Sequence, residues 1–367
     1  MQYREAVTTY GSVSAACRAM GIPRTTFRRR LDAEGRDVTV PAESIVPDGY
    51  RVKGTSVLYD KDGNPRMSWV KTQIDPAVMA RVMDDMREGF SAEMPERWEP
   101  RDRRNYATDD NLLTTYILTD YHLGMLAWGE ETGADWDIKI AEALLEKYFA
   151  RAISLSPSSD TAILANIGDL FHFDGMAPVT PTSGHVLDAD TRFQKLVRVA
   201  IRAVRLAVMM MLEKHNHVHI IHATGNHDMS SAAWLRECFS VFYENDPRIT
   251  VETRPDPYYC YEHGSTSLFF HHGHRRKVAN VDSVFAGKFR DIFGRTKYSY
   301  AHLGHLHSTE VKETPLMLVE QHRTLAAPDA YATGGGWLSG RSACAITYDK
   351  RYGETIRVIV SAEMLND

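Results

Sequence analysis

The stretch HVHIIHATGNHD, residues 217–228, is the most informative part of this chain for its fold. A short apolar run with the length and composition of a buried strand ends directly in Gly225, Asn226, His227 and Asp228. Side chains of these types are costly to bury unless they are hydrogen bonded or bind a metal. The stretch therefore predicts a buried strand whose carboxyl end carries chemistry.

Other apolar runs in the chain end in the same residue types. They are LLTTYILTD at 112–120, TAILANIGD at 161–169 and SLFFHHGH at 267–274. Amphipathic segments that predict helices lie near 136–153, 188–214 and 230–243. This β-α-β-α order predicts an α/β sandwich, in which ligands bind at the carboxyl ends of the strands.

The composition is that of a globular protein rather than a membrane or disulfide-rich protein. Of 367 residues, 43% are apolar and 25% charged, and no run approaches the roughly 18 apolar residues that span a bilayer. The first residues contain no apolar signal segment, and the four cysteines form no CxxC pair. We therefore expect a cytoplasmic protein without a membrane partner, in a reducing compartment.

The first 36 residues form a basic head on an acidic chain. They contain seven arginines and three acidic residues, whereas the whole chain has a net charge of −5. GSVSAACRAMGIPRTTFRRRL, residues 11–31, predicts two short helices with a turn at Gly21 and a cap at Ser12 or Ser14. A basic head of this kind is expected to contact a polyanion.

Residues 11–31 resemble the Fis-type helix-turn-helix, which implies that the second helix enters the DNA major groove. The residues implicated in DNA contact are Arg24, Thr25, Thr26, Arg28, Arg29 and, on phosphate, Arg30. The alternative is a solvated basic helix in a packing module.

Residues 37–110 connect the head to the α/β body. We predict linkers at 37–50 and 96–111, a β-hairpin at 50–74 around a DGNP turn, and a helix at 75–90. The hairpin is either a wing beside the helix-turn-helix or a collar on the body.

Five blocks within residues 111–310 carry metal-binding residue types. They are Asp120-Tyr-His122, Gly168-Asp169, Gly225-Asn226-His227-Asp228, His272-Gly-His274 and Gly304-His305-Leu-His307. In this order they resemble the calcineurin-like metallophosphoesterase superfamily. The resemblance implies a β-sandwich flanked by helices over 111–367, preceded by the small all-α head and the hairpin.

The donor types indicate which metals suit the site. Asp120 and His122 are two residues apart, so in an extended strand end both would point to one face. Carboxylate, imidazole and amide donors suit two ions of Mn²⁺, Fe, Zn²⁺ or Mg²⁺ better than Ca²⁺, and we expect Mn²⁺.

The resemblance also implies roles for individual residues. Asp169 would bridge the metals, with Asp120, His122 and His307 on one and Asn226, His272 and His305 on the other. A hydroxide between the metals would attack phosphorus. His227 would protonate the leaving oxygen, and Asp228 would orient His227, cap the following helix, or both.

SLFFHHGH contains three histidines with different expected roles. His272 is the expected ligand, and His271 should face away from it as a core histidine. His274 could contact the substrate phosphate or support a ligand, and the sequence leaves this open.

Two motifs favour DNA as the substrate. TDYHLG at 119–124 and GDLFHFDG at 168–175 resemble the DNA double-strand-break repair nucleases of this superfamily. That resemblance implies that His172 assists catalysis; the alternative is that His172 packs under the bridging carboxylate. The whole arrangement also resembles phage-encoded phosphoesterases.

Three functions compete at this point. The first is a two-metal phosphodiesterase that cleaves DNA, with DNA and a homodimer as expected partners. The second is a phosphodiesterase or phosphatase for small or cyclic nucleotides. The third is a DNA-binding regulator with a vestigial metal site, which the intact set of ligands disfavours.

Overall fold

The computed structural model describes residues 2–34, 50–60, 62–63, 65–78, 80–81, 84, 107–181 and 184–366. Most of the predicted linkers at 37–50 and 96–111, and most of the predicted helix at 75–90, lie outside the described residues. The chain divides into two compact units, Met1–Ala80 and Arg81–Asp367.

The first unit begins with three short helices, α1 (Gln2–Tyr10), α2 (Val13–Met20) and α3 (Arg24–Glu34). Ser12 caps α2, because its hydroxyl accepts a 3.2 Å hydrogen bond from the Ala15 N–H. Gly21 ends α2 in the left-handed region, with φ at 65°. Phe27 of α3 is fully buried and packs edge-on against Tyr3 of α1.

A long antiparallel hairpin follows in the same unit. Its strands are β1 (Tyr50–Tyr59) and β2 (Pro65–Ile74). Leu58, Met67 and Trp69 of the hairpin are each about half exposed.

The second unit contains the remaining elements. Its strands are β3 (Asp109–Leu118), β4 (Ser159–Asn166), β5 (His217–His222), β6 (Ile249–Val251), β7 (Tyr259–His263), β8 (Thr266–Phe270), β9 (Tyr298–Leu303), β10 (Glu310–Glu313), β11 (Leu318–Gln321), β12 (Ser342–Asp349) and β13 (Gly353–Ser361). Its helices are α4 (Gly129–Thr132), α5 (Ile138–Leu155), α6 (Phe193–Leu212), α7 (Met229–Phe242), α8 (Asp282–Lys288), α9 (Arg290–Arg295) and α10 (Ala330–Gly334), followed by a 3₁₀ turn at Glu363–Leu365.

Two mixed sheets form the centre of this unit. One has the order β13-β12-β3-β4-β5-β6, with β3 to β6 parallel, and the other has the order β10-β11-β9-β8-β7, with β8, β9 and β11 parallel. The parallel strands therefore deliver their carboxyl ends to one edge of each sheet.

Alternating side chains place the two sheets face to face. In β8, Leu268 and Phe270 pack between the sheets, whereas Phe269 faces the opposite way and packs against Phe285 of α8. On the far side of the first sheet, α5 and α6 cover a second core with residues such as Leu145 and Leu196. The layers are therefore helix, sheet, sheet and helix, which confirms the predicted fold class with its small helical region at the amino end. Within the described residues, no helix is long and apolar enough to cross a membrane.

Candidate metal centre

The structure gathers the side chains of all five sequence blocks at the carboxyl ends of β3, β4, β5, β8 and β9. Three groups of three have ligand atoms within 4.8 Å of one another at this edge. Two of them contain only predicted metal ligands: Asp120, His122 and His307, and Asp169, His272 and His305. The third is His122, His172 and His227. The first two are the groupings that the resemblance implied.

Asp120 and His122 meet His307 at the end of β3. Oδ1 of Asp120 lies 3.2 Å from Nε2 of His307. The same His307 nitrogen lies 3.4 Å from Nε2 of His122. Three potential donor atoms thus converge at one point.

Asp169 and His272 form the second group together with Asn226. Nε2 of His272 lies 3.0 Å from Oδ2 of Asp169 and 3.1 Å from Oδ1 of Asn226. Nε2 of His272 is also 3.8 Å from Oδ1 of Asp120, so the two groups adjoin.

The backbone of these residues is unusual. Among the described residues, only five that are not glycine have a positive φ: Asp120 (50°), His122 (48°), Asp169 (53°), His305 (80°) and His307 (53°). All five are predicted metal ligands. Each such residue costs on the order of 1–2 kcal/mol, which surrounding contacts must offset. The expectation that Asp120 and His122 share a face of an extended strand is therefore wrong, because β3 ends at Leu118 and both residues adopt the left-handed conformation.

Glycines of the motifs leave the room that the ligands occupy. A Cβ on Gly225 would collide with the Asp169 carboxylate, and a Cβ on Gly304 would collide with the Thr119 hydroxyl. A Cβ on Gly168 would lie 2.6 Å from Nδ1 of His272. Only glycine is compatible with these close approaches.

The donor atoms fit a cation. Nδ1 of His272 is 3.1 Å from the Ile167 carbonyl, which can only accept, so Nδ1 carries the proton. In the neutral ring, Nε2 then presents a lone pair to the Asp169 and Asn226 oxygens. Oδ1 of Asp120 is fully buried and accepts no hydrogen bond. Lone pairs that converge in this way are stabilised by a bound divalent metal.

The electrostatics of the site lead to the same conclusion. Burial disfavours the charged form of Asp120, but protonated His307 and His272 outweigh it and hold the pKa of that carboxyl below its usual range. Burial disfavours protonation of His272, but Asp169 and Asp120 outweigh it and raise the pKa of His272 to about 9. Without metal, protons on histidines balance the buried carboxylates, and a bound cation would take their place.

Residues 113–362 match the sequence pattern that defines the calcineurin-like phosphoesterases. The chain belongs to this family. It is therefore a metal-dependent hydrolase of phosphate esters, and its histidine and aspartate clusters are able to hold the divalent ions that the family uses.

Several solved structures are similar to this chain at low sequence identity. A novel archaeal phosphodiesterase is 13% identical, with a TM-score of 0.33, over 67% of this chain and 99% of its own. Vacuolar Protein Sorting 29 from Cryptosporidium parvum is 15% identical, with a TM-score of 0.32, over 68% of this chain and 98% of its own. A 5′-nucleotidase from Candida albicans is 11% identical, with a TM-score of 0.33, over 72% of this chain and 55% of its own. Likeness this low carries no information about substrate, and no curated protein sequence matches the chain.

His227 and His172 lie together beside His122. Nδ1 of His227 is 2.8 Å from the His172 carbonyl oxygen, so Nδ1 carries the proton and Nε2 is left for chemistry. The His172 ring is buried, lies parallel to the His227 ring and has its Nδ1 3.4 Å from Nδ1 of His122. His172 therefore contacts the His122 and His227 rings.

The structure corrects both roles expected of Asp228. Its carboxylate accepts hydrogen bonds from the backbone N–H groups of Gly225, Asp169, Leu170 and Phe171 at 2.8–3.4 Å. His227 instead bonds to the His172 carbonyl, and Asp228 makes no side-chain cap on α7. Asp228 is thus a positioning residue that joins the Asp169 loop to the Asn226 loop.

Sequence reasoning did not assign Asp174, which caps α7 in place of Asp228. Its two carboxylate oxygens accept from the N–H groups of Ser230 and Ser231 at 2.6 and 2.7 Å. The helix begins 55 residues later in the chain, so no local pattern marks the partnership.

The other two histidines of SLFFHHGH occupy different environments. His271 is buried, stacks on Tyr258 at 4.4 Å and accepts from the Gly273 N–H. His274 lies beside the metal centre, 5.3 Å from His272 between ring centroids, and its Nδ1 is buried without a partner.

A further cluster of metal-binding residue types was not predicted. His302, Glu320 and His322 lie buried between β9, β11 and β12. Arg341 donates to the Leu325 carbonyl and lies over the Trp136 ring.

The predicted DNA-contacting residues lie in the first unit on α3. Arg24, Thr25, Arg28 and Arg29 are exposed, and Thr26 is half-buried. Arg30 is exposed but donates to the Tyr3 hydroxyl at 2.7 Å.

Proposed function

We propose that this phosphoesterase is a two-metal phosphodiesterase that hydrolyses DNA. The observation that carries the proposal is the pair of adjoining ligand groups, with His227 beside them, in a chain whose head exposes Arg24, Arg28 and Arg29. Phosphodiester hydrolysis needs a charged clamp for the phosphate and an acid for the leaving oxygen, and this site has groups for both.

Asp120, His122, His307 and the shared Asp169 would hold one metal, and Asn226, His272 and His305 would complete the second site. Two divalent ions bound there would supply a nucleophile at neutral pH and neutralise charge on the phosphate oxygens. With both ring nitrogens protonated, His227 would donate its Nε2 proton to the leaving oxygen, while its Nδ1–H stays bonded to the His172 carbonyl.

Three features support DNA as the substrate. The exposed arginines of α3 suit a phosphate backbone, and a tethered DNA reader raises the effective concentration of DNA at the active site. Arg275, Arg276 and Lys277 are exposed directly after His274 and offer phosphate contacts beside the metal centre. We also propose a homodimer, in keeping with the symmetric sites that helix-turn-helix readers use.

The test compares the wild type with Asp169→Ala in Mn²⁺. The substrates are linear, nicked and single-stranded DNA, and bis-p-nitrophenyl phosphate. We expect the wild type to cleave DNA and the variant to be inactive. Cleavage of the small ester without cleavage of DNA would favour the small-nucleotide phosphodiesterase, and no cleavage of any substrate would favour the regulator.

Deletion of residues 1–36 tests the head. We expect weaker DNA binding with a shallower salt dependence and unchanged hydrolysis of the small ester. Equal loss of DNA binding and of small-ester hydrolysis would show that the head has a structural role.

A further inference from the structure

Exposed aromatic side chains are concentrated on two short segments of the second unit. Among its described residues, four Trp or Tyr side chains are strongly exposed: Trp128, Tyr331, Trp337 and Tyr352. The first three are 59–76% exposed and belong to the segments 126–128 and 331–338. Large apolar rings exposed in a group mark a binding surface more often than rings exposed singly.

Both segments are attached to the metal centre. The first follows His122, whose carbonyl accepts from Nε1 of Trp136 at 3.4 Å, and Trp136 pairs with Ala127. The second follows Thr324, whose hydroxyl donates to the Asp120 carbonyl, by seven residues. Helices α4 and α10, which belong to the two segments, pack against each other. The two exposed segments therefore form one rim, and each lies a few residues from a contact with a metal ligand.

Trp337 is held in place while its ring stays exposed. Its N–H donates to the Ala332 carbonyl at 3.0 Å, and its ring meets Tyr331 edge-on at 5.2 Å between centroids. A Cβ on Gly335 would lie 3.1 Å from the Trp337 ring, so this glycine allows the ring to fold back closely over α10. A ring fixed in this way loses little further entropy when a flat ligand stacks on it.

A basic side chain lies close to the end of the second segment. Arg323 is exposed. Its guanidinium lies against Gly340, where a Cβ would be 3.0 Å from Nη1. The next residue, Thr324, donates its hydroxyl to the Asp120 carbonyl at 2.6 Å, which anchors this segment to a metal ligand.

We propose that Trp128, Tyr331 and Trp337 form a base-stacking platform for unpaired nucleotides, with Arg323 on the adjoining phosphate. Single-strand binding sites combine aromatic rings with cations in this way, because every base offers a flat face. The proposal rests on the proposed function in that it names the form of nucleic acid presented to the metals. It predicts that the enzyme prefers single strands or frayed ends.

The test measures binding of two fluorescently labelled single strands by anisotropy in chelator, so that hydrolysis does not compete. One strand is oligodeoxythymidine, and the other has the same length and backbone but abasic residues. The full-length protein carries R28A and R29A in its head to remove the contribution of α3. Variants Y331A and W337A are compared with Y352A, an equally exposed tyrosine between β12 and β13 at the opposite end of the sheet.

We expect Y331A and W337A to weaken binding of the thymidine strand by at least about fivefold and to leave the abasic strand unaffected. Y352A should change neither. R323A should weaken both strands alike and lower the slope of log affinity against log salt by about one. No loss for either aromatic variant, or an equal loss on both strands, would overturn the platform.

The outcomes separate the two proposals. If Mn²⁺-loaded wild type cleaves no DNA, the nuclease function fails, while the anisotropy experiment still decides the platform. Unchanged thermal unfolding of the aromatic variants, expected for exposed side chains, excludes misfolding as the cause of weaker binding.

Discussion

The buried group of His302, Glu320 and His322 is here called the histidine network. Like the metal centre, it brings histidine and carboxylate side chains within 4.8 Å of one another. The two clusters differ in how their polar atoms are satisfied. In the network, Nε2 of His302 meets the Tyr348 hydroxyl at 2.9 Å, and Nδ1 meets Nε2 of His322 at 2.9 Å. Arg357 binds both oxygens of Glu320 at 2.6 and 2.8 Å.

In the metal centre the donor atoms converge on one another instead. Oδ1 of Asp120 accepts no hydrogen bond, and Nε2 of His272 faces two oxygens. Its ligands also hold left-handed backbones, whereas no network residue has a positive φ. Proximity of histidine and carboxylate is therefore a weak criterion for a metal site, and unsatisfied acceptors on a strained backbone are a stronger one.

The largest effect should come from removing the shared carboxylate. Asp169→Asn should lower kcat by about a thousandfold, because charge neutralisation at the phosphate is worth several kcal/mol. Added Mn²⁺ should raise the Tm of the wild type and of His322→Gln. It should raise the Tm of Asp169→Asn much less. A Tm response to Mn²⁺ that depends on His322 would remove the distinction between the two clusters.

A second comparison lies within SLFFHHGH. His272→Ala should weaken binding of one metal by at least about a hundredfold, since even outer-shell changes cost tenfold to a hundredfold. His271→Ala, its neighbour, should retain both metals because His271 packs on Tyr258. Metal content by elemental analysis after gel filtration checks both, and loss of metal from His271→Ala would contradict the assignment.

The network should respond in stability rather than in metal binding. Glu320→Ala leaves Arg357 without one of its two carboxylate partners. We expect the free energy of unfolding to fall by only about 2 kcal/mol, because Arg357 is partly exposed and water can solvate its charge. Glu320→Gln should lose less, because the amide can still accept one hydrogen bond. Urea unfolding measures the difference, and reduced metal content in either variant would show that the network is a metal site.

The smallest effect should come from Asp174, which lies near the metal centre but acts as a helix cap. Asp174→Ala should cost about 1 kcal/mol of stability without changing metal content. Asp137→Ala is the matched control, because Asp137 caps α5 through the N–H groups of Lys139 and Ile140. Loss of metal in Asp174→Ala alone would mean that the cap also shapes the ligands.

Sequence reasoning predicted the sandwich and the residues that gather at its edge. It succeeded because apolar runs identify buried strands, and parallel strands bring their carboxyl ends together wherever helices separate them in the chain. Asp120, Asp169 and His272 could therefore be grouped without coordinates. The DNA-binding role of α3 stays a prediction.

Sequence reasoning failed where a side chain forms hydrogen bonds with a loop far away in the chain. Asp228 was expected to serve its neighbour His227, but its carboxylate bonds to a loop 57–59 residues earlier in the chain. Asp174, Thr324 and the histidine network carry no local pattern, because their partners lie far away in the chain. The rim of Trp128, Tyr331 and Trp337 likewise depends on two segments that meet only in the folded chain.

The amino-acid sequence by itself determined the order of the strands along the chain, the family and the set of residues that can bind metal, since residue type and periodicity are local properties. Only the tertiary structure decided which of those residues are strained, which acceptors stay unsatisfied and which aspartate orients which loop. The physical reason is that positive φ at Asp and His, and hydrogen bonds between distant loops, are imposed by packing around them rather than by the residues themselves.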